Sequence, residues 1–152
     1  MIRAAFVYTH HGDGWLGGTN YLRNLLGTLA AEPQCGVQPV LLTYDARHPE
    51  FEGVEIVFSP ALWVRHQLGI RGAWGLLGWD PIDRILRHHR LAVLSHSGPP
   101  GPRACSPALP WIPDLQHRTF PEFFQPADAA ARDAIIAKSL REAARVILSS
   151  EA

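Results

Sequence analysis

Several things are scarce in this sequence, and each scarcity excludes something. It has two cysteines, Cys35 and Cys105, far apart and without CxxC spacing. Neither a zinc ribbon nor a disulfide framework can be built from them, and two free thiols in a reducing compartment are expected. It has no excess charge: 14 Lys plus Arg balance 14 Asp plus Glu. A general nucleic-acid binder needs cationic excess to displace counterions from phosphates, so that class is excluded. Disorder is excluded as well, because 47% of the residues are hydrophobic and disordered chains combine low hydrophobicity with high net charge. No run approaches the roughly 18 apolar residues of a spanning helix. The apolar stretch of Met1–Thr9 is too short for a signal peptide and has no cleavage-like site after it. There is no P-loop signature, no HExxH and no GxSxG elbow. A structural metal is not expected from the eight histidines, because the pairs His10–His11 and His88–His89 are adjacent and point in different directions.

What is present is enough for one domain. A chain of 152 residues buries roughly 68–70% of its unfolded surface on folding. Thirteen prolines and thirteen glycines point to a loop-rich domain rather than a helical bundle. Ala4–Thr9 is a continuous apolar run, the pattern of a strand buried on both faces. His10–Gly18 reads as a loop, and Thr19 as the cap of a helix with Tyr21, Leu22, Leu25, Leu26 and Leu29 on one side. That helix should end near Ala31–Glu32, before Pro33. Val37–Thr43 is a second strand, with Pro39 at an edge or early position. Val54–Phe58 is a third, Leu91–Ser95 a fourth, Leu109–Ile112 a fifth and Arg145–Ser149 a sixth.

Two further helices complete the pattern. Asp80 caps and Pro81 opens the helix Asp80–Arg90, whose Ile82, Ile85 and Leu86 share a face. The second covers Ala127–Ala144, with Ala131, Ile135, Ile136, Ser139, Leu140 and Ala143 as inner positions. Gly98–Pro107 is a connector, and the stretch from Pro60 to Trp79 is ambiguous. Strand–helix alternation implies an α/β fold, a parallel sheet with helices on its faces. In such sheets ligands bind outside the carboxyl ends of the strands. The glycine-rich loop, the His96 loop and the Asp114–His117 segment all follow strands and should share that rim.

Three segments carry chemistry. In His10–Thr19 the glycines at 12, 14, 17 and 18 allow backbone amides close to a ligand, just before a helix whose N-terminus favours phosphate. The plainer reading of the same residues is a tight turn that needs glycine only for its backbone geometry. The spacing is not GxGxxG, and Asp45 offers a ribose-binding acid only weakly. In Trp111–Phe124, Asp114 and His117 lie three apart after a strand, Arg118 adds a cation, and Phe120, Phe123 and Phe124 can wall a site. A carboxylate, an imidazole and a guanidinium together can position and polarise a hydroxyl. Here too a plainer reading stands: a hydrogen-bonded histidine, a solvated Glu122 and core phenylalanines. Trp63–Trp79 joins three tryptophans to Arg65 and Arg71 without an acid. It suits either a membrane interface or ordinary packing.

The segments GGTNYLRNLLGTLA, WIPDLQHRTFPEFF and RVILSSEA resemble the amino-terminal half of a GT-B glycosyltransferase of the retaining group 1 family. The resemblance covers nearly the whole chain, and its strongest element is D-x-Q-H followed by F-P-E-F-F. It implies a Rossmann-like parallel sheet with helices on both faces, residues 1–152 forming one such domain. It also implies that the carboxyl-terminal nucleotide-sugar domain with its paired glutamates is absent. Gly17 and Gly18 match the loop that approaches the donor diphosphate, with Thr19 and His96 beside it. Asp114 and His117 match the polar positions after the fifth strand, and Phe120, Pro121 and Glu122 match the segment that follows, with Arg118 as a further contact. Many relatives have His-Asp at that strand end. Here Pro113 precedes Asp114, which leaves open whether His117 takes that histidine's part.

The expectation is therefore half of a hexosyl transferase that uses a nucleotide-sugar as substrate, with no cofactor and no metal. It would be inactive alone and cytoplasmic, with a peripheral membrane contact through Trp63, Trp74 and Trp79. Its partners would be a sugar acceptor and a second GT-B half. A non-catalytic binding or assembly module is the rival from another class, and an unrelated nucleotide binder the third.

Overall fold

The computed structural model describes residues 1–9, 16–45, 51–63, 81–101, 104 and 106–149. The chain runs through β1 (Ile2–Tyr8), α1 (Leu16–Ala31), β2 (Val37–Thr43), β3 (Glu55–Phe58), α2 (Pro81–His88) and β4 (Val93–Ser95). It continues through β5 (Ala108–Leu109), β6 (Trp111–Ile112), α3 (Gln116–Thr119), α4 (Pro126–Glu142) and β7 (Ile147–Leu148). Five strands form one parallel sheet in the order β3-β2-β1-β4-β5, and β6 pairs with β7, also in parallel. The fold is α/β and Rossmann-like, as the alternation of apolar strands with helices implies.

The strands alternate because both faces are buried. Ala5, Val40, Leu42 and Leu94 face one way and pack with Ile82, Ile85 and Leu86 of α2. Ala4, Phe6, Tyr8 and Leu41 face the other way and pack with Leu22 and Leu26 of α1. Leu26, Leu41, Leu42, Ile82, Leu86 and Leu94 are fully enclosed. Each contributes roughly 1.5–3 kcal/mol by leaving water. Pro39 lies one residue before the point where β3 joins β2 at Val40↔Glu55, an early position that loses little by lacking an N–H.

The fifth strand departs from expectation. Leu109–Ile112 is broken at Pro110 into β5, which pairs with β4, and β6, which pairs with β7. Pro110 has no N–H to donate, but its carbonyl accepts from Ile147 N–H at 2.9 Å. The two short pieces therefore hand the pairing from β4 on to β7, and the strand order carries on past the break. Two-residue strands give this side of the molecule little face to cover.

That has a consequence for α4, which adds no residue to either buried cluster. Of its expected inner positions, Ser139 is buried and Ala131, Ile136 and Ala143 are half-buried. Ile135 and Leu140, expected inside, are 58% and 61% exposed.

Thr19 does not cap α1. The helix already includes Leu16, so Gly17 and Gly18, expected in the loop, form its opening turn. Gly18 is buried, and the Thr19 hydroxyl lies 3.4 Å from the Tyr8 hydroxyl at the end of β1. The Thr19 hydroxyl is thus turned towards Tyr8 instead of the helix's own amides. The expected cap of α2, Asp80, the tryptophans Trp74 and Trp79, and Cys105 lie outside the described residues. Trp63 is half-exposed, and Cys35 is an exposed free thiol. Among the described residues no helix is long and apolar enough to cross a membrane.

Helix α2 ends in a Schellman motif without glycine. Leu91 N–H bonds to Leu86 C=O at 2.8 Å and Arg90 N–H to Arg87 C=O at 3.1 Å, with Arg90 in the left-handed region at φ 54°. Leu86 and Leu91 supply the apolar contact that accompanies this motif. A left-handed residue other than glycine costs about 1 kcal/mol. Arg90→Gly should therefore raise the thermal midpoint by several degrees, as about 1 kcal/mol does in a domain of this size. Calorimetry checks this; a lower midpoint would show that the exposed arginine contributes more than the strain costs.

Candidate functional site

The five strands of the main sheet run the same way, so their carboxyl ends form one rim. Strand order reverses between β1 and β4: from β1 the chain moves outward to β2 and β3, then returns to β4 on the other side. Ligands of open α/β sheets lie at this switch point. The segments that leave it are the α1 entry, carrying Gly17, Gly18 and Thr19, and the turn after β4, carrying His96.

His96 is the centre of the contacts at this place. Its ring lies 5.4 Å from Phe6 of β1, 5.6 Å from Tyr21 of α1 and 5.6 Å from Trp111 of β6. Tyr21 and Trp111 are stacked at 4.2 Å with an 11° angle between their planes. The Tyr21 hydroxyl lies 3.1 Å from His96 Nε2, and Ser95 Oγ lies 2.8 Å from His96 Nδ1. Trp111 Nε1–H donates to Ser149 Oγ at 2.8 Å, which adds the end of β7 to the group. The backbone at His96 is left-handed, φ 59°, and its N–H donates to Leu109 C=O at 2.8 Å. Such a conformation in a residue other than glycine costs energy and is often found at functional sites. Burial pushes the His96 imidazole from 6.5 down to about 4, so it is neutral at physiological pH.

His117 sits in a different environment. It was expected on a loop but lies on the one-turn helix α3, 3% exposed. Its Nε2 lies 3.0 Å from Asp133 Oδ1 on α4, and Phe124 meets its ring edge-on at 6.2 Å. Its Nδ1 is buried with no hydrogen-bond partner among the described residues. Arg118 Nε donates to the same Asp133 oxygen at 2.8 Å. That guanidinium, with help from His117, holds the Asp133 carboxyl below the usual range, while the carboxylate raises Arg118. Asp114 is exposed and accepts Gln116 N–H at 3.1 Å, which starts α3. Glu122 is exposed on the turn that follows.

The expected residues thus fall into two groups. His96 joins the α1 entry, and His117 and Arg118 are tied to α4 through Asp133. Asp45 follows β2 on the same rim, its N–H donating to Thr43 Oγ1 at 3.1 Å. Sequence reasoning missed Ser95, Tyr21 and Trp111 as site residues. It read Tyr21 and Trp111 only as a helix and a strand position, and no spacing signal links residues 21, 95, 96 and 111. With this geometry in view, comparison with known proteins gives no family assignment: no family model matches the chain, nor does any curated protein or solved structure.

The His96 environment sets a pH dependence. The folded state holds the imidazole neutral, while the unfolded chain takes up its proton near 6.5. The stability contribution is present above about 6.5 and is lost as pH falls towards 4. Denaturant melts at pH 7 and pH 5 should show this loss in the wild type and a smaller one in His96→Asn, which keeps a residue tolerant of the left-handed backbone. An equal loss in both proteins would show that His96 does not titrate as its burial requires.

Proposed function

We propose that this domain is the acceptor-side half of a GT-B-type glycosyltransferase. It would act with a second, nucleotide-sugar-binding half to transfer a sugar from a nucleotide-diphosphate sugar to an acceptor hydroxyl. The observation that carries this reading is the meeting of α1, the β4 turn and β6 around His96 at the switch point of a Rossmann-like sheet. Aromatic faces with a few fixed polar groups suit a saccharide, which presents apolar ring faces and hydroxyl edges.

In the transfer step the bond between the anomeric carbon and the diphosphate breaks, and negative charge grows on the leaving phosphate. Under this reading the amides at Gly17 and Gly18, in an opening turn that contains no acidic residue, would meet that charge. Neutral His96, bonded to Ser95 and to the Tyr21 hydroxyl, would hold that phenol for a hydroxyl of the substrate. Exposed Asp114 would accept from an acceptor hydroxyl through the carboxylate oxygen not bonded to Gln116 N–H. His117 fixes the α3 turn through Asp133, and Arg118 and Glu122 flank it. The pairing of Arg118 with Asp133 reduces the charge it can offer a phosphate.

A binding or assembly module is the second reading. Exposed Ile135 and Leu140 on α4, and Phe123 at 78% exposure nearby in sequence, are the observation that favours it. Under that reading the chain self-associates in light scattering and ignores nucleotide-sugars.

Gly17 provides a direct test of the transferase reading. It is helical and exposed, and an added Cβ would meet nothing within 4 Å. Gly17→Ala should stabilise α1 by about 0.5–1 kcal/mol. If a diphosphate rests on that turn, the methyl obstructs it. The expected result is a higher melting temperature together with at least about fivefold weaker binding of nucleotide-diphosphate sugars, about 1 kcal/mol by the usual conversion, measured by NMR titration. A panel of uridine and guanosine diphosphate sugars that leaves Gly17, Gly18 and His96 unshifted, with and without a second GT-B half, would refute the transferase reading.

A further inference from the structure

We infer that Ser95, His96 and Tyr21 form a directional hydrogen-bond relay that fixes the His96 tautomer and presents the Tyr21 hydroxyl proton as a donor to a ligand oxygen. The donor role rests on the rim being the ligand site, as proposed above; the tautomer does not.

The direction follows from counting protons. Ser95 is 5% exposed, and its Oγ has His96 Nδ1 at 2.8 Å as its partner among the described residues. A serine hydroxyl has one proton to give, and leaving it unbonded when buried is costly. It therefore donates to Nδ1, which must be the unprotonated nitrogen. A neutral imidazole carries one N–H, here on Nε2, and that group donates to the Tyr21 oxygen at 3.1 Å. The phenol is then an acceptor within the relay, and its own proton is left for a partner outside it.

The reverse order has Tyr21 donating to Nε2 and Nδ1–H donating to Ser95. It strands the buried serine proton instead, with no acceptor for it among the described residues. The phenol of half-buried Tyr21 is a cheaper place for an unused donor than the hydroxyl of Ser95, which is 5% exposed. Stacking on Trp111 fixes the Tyr21 ring and so aims that proton. A donor proton of this kind at an aromatic platform recognises an oxygen of a nucleotide-sugar, on either its sugar or its diphosphate.

Nitrogen-15 NMR of the His96 ring tests the relay with no ligand present. The expected spectrum is a single Nε2–H tautomer in the wild type, with that preference lost or reduced in Ser95→Ala. An Nδ1–H tautomer in the wild type overturns the relay. Titration with uridine and guanosine diphosphate sugars, and with the matching free diphosphates, tests the donor role. Tyr21→Phe keeps the stacking ring and should weaken binding about three- to tenfold, the usual worth of one neutral hydrogen bond. Weakening confined to the sugar-bearing ligands assigns the contact to a sugar oxygen; equal weakening with the free diphosphates assigns it to a phosphate oxygen. Unchanged affinity overturns the donor role. No response from any ligand, with the Nε2–H tautomer intact, overturns the rim site and the donor role together while the relay stands.

Discussion

The structure depends first on β1. It stands at the middle of the sheet: seven register pairs join it to β2 and three to β4. Both faces are buried, so Ala4, Phe6 and Tyr8 serve one core while Ala5 and Val7 serve the other. A slip of one residue would exchange the two sets. It would also carry Phe6 away from His96 and Tyr8 away from Thr19. The register of β1 therefore sets the core and the rim together. At the opposite end Arg3 reinforces it, donating to Glu55 of β3 at 2.6 Å and to the carbonyl of His89 after α2.

The two ends of this sheet are built differently. The amino end is closed largely through main-chain groups: the Arg3 bond to His89 C=O, the Schellman turn at Arg90 and the bond from Ala92 N–H to Arg3 C=O at 2.8 Å, joined by the Arg3–Glu55 ion pair. The carboxyl end is closed by side chains from distant parts of the chain meeting at His96. Two residues outside glycine have left-handed backbones among those described, and one lies at each end. Arg90 has a structural explanation, since the motif requires that conformation at its position. His96 ends no helix, and the residues its conformation brings together are Phe6, Ser95, Tyr21 and Trp111. The helix-ending motif accounts for the conformation at Arg90; at His96 the same conformation coincides with the side-chain cluster instead.

Much of the fold could be read from the sequence because its signals are local. Val37–Thr43 appears as a strand with the limits that its apolar run suggests, and α1 ends at Ala31, just ahead of Pro33. Ile82, Ile85 and Leu86 share the buried face of α2 because helical spacing alone requires it. Other features depend on what lies opposite. Ile135 and Leu140 have a helical spacing, but two-residue strands give them no surface to cover. Thr19 has the chemistry of a cap, but the helix already includes Leu16 and the Thr19 hydroxyl lies against Tyr8. For the site, His96, His117 and the glycines could be named from residue type and position after strands. Tyr21 and Trp111 could not, because their importance lies in a contact between residues 21, 96 and 111 that only the crossover geometry creates.

The two histidines show why the position of a polar residue after a strand is an incomplete guide to chemistry. His117 has the more suggestive sequence context, between a carboxylate and an arginine. In the fold its Nε2 is committed to Asp133 and its Nδ1 is enclosed, so neither nitrogen faces the rim's solvent. His96 has the plainer context, a serine on either side, but it sits where strand order reverses and is half-buried rather than sealed. A ring kept neutral by burial, with one nitrogen accepting and the other donating, can pass an orientation from the sheet to a ligand. A ring locked to a carboxylate inside the packing can only hold two helices together. The fold thus leaves His96 half-buried at the switch point and encloses His117 against α4.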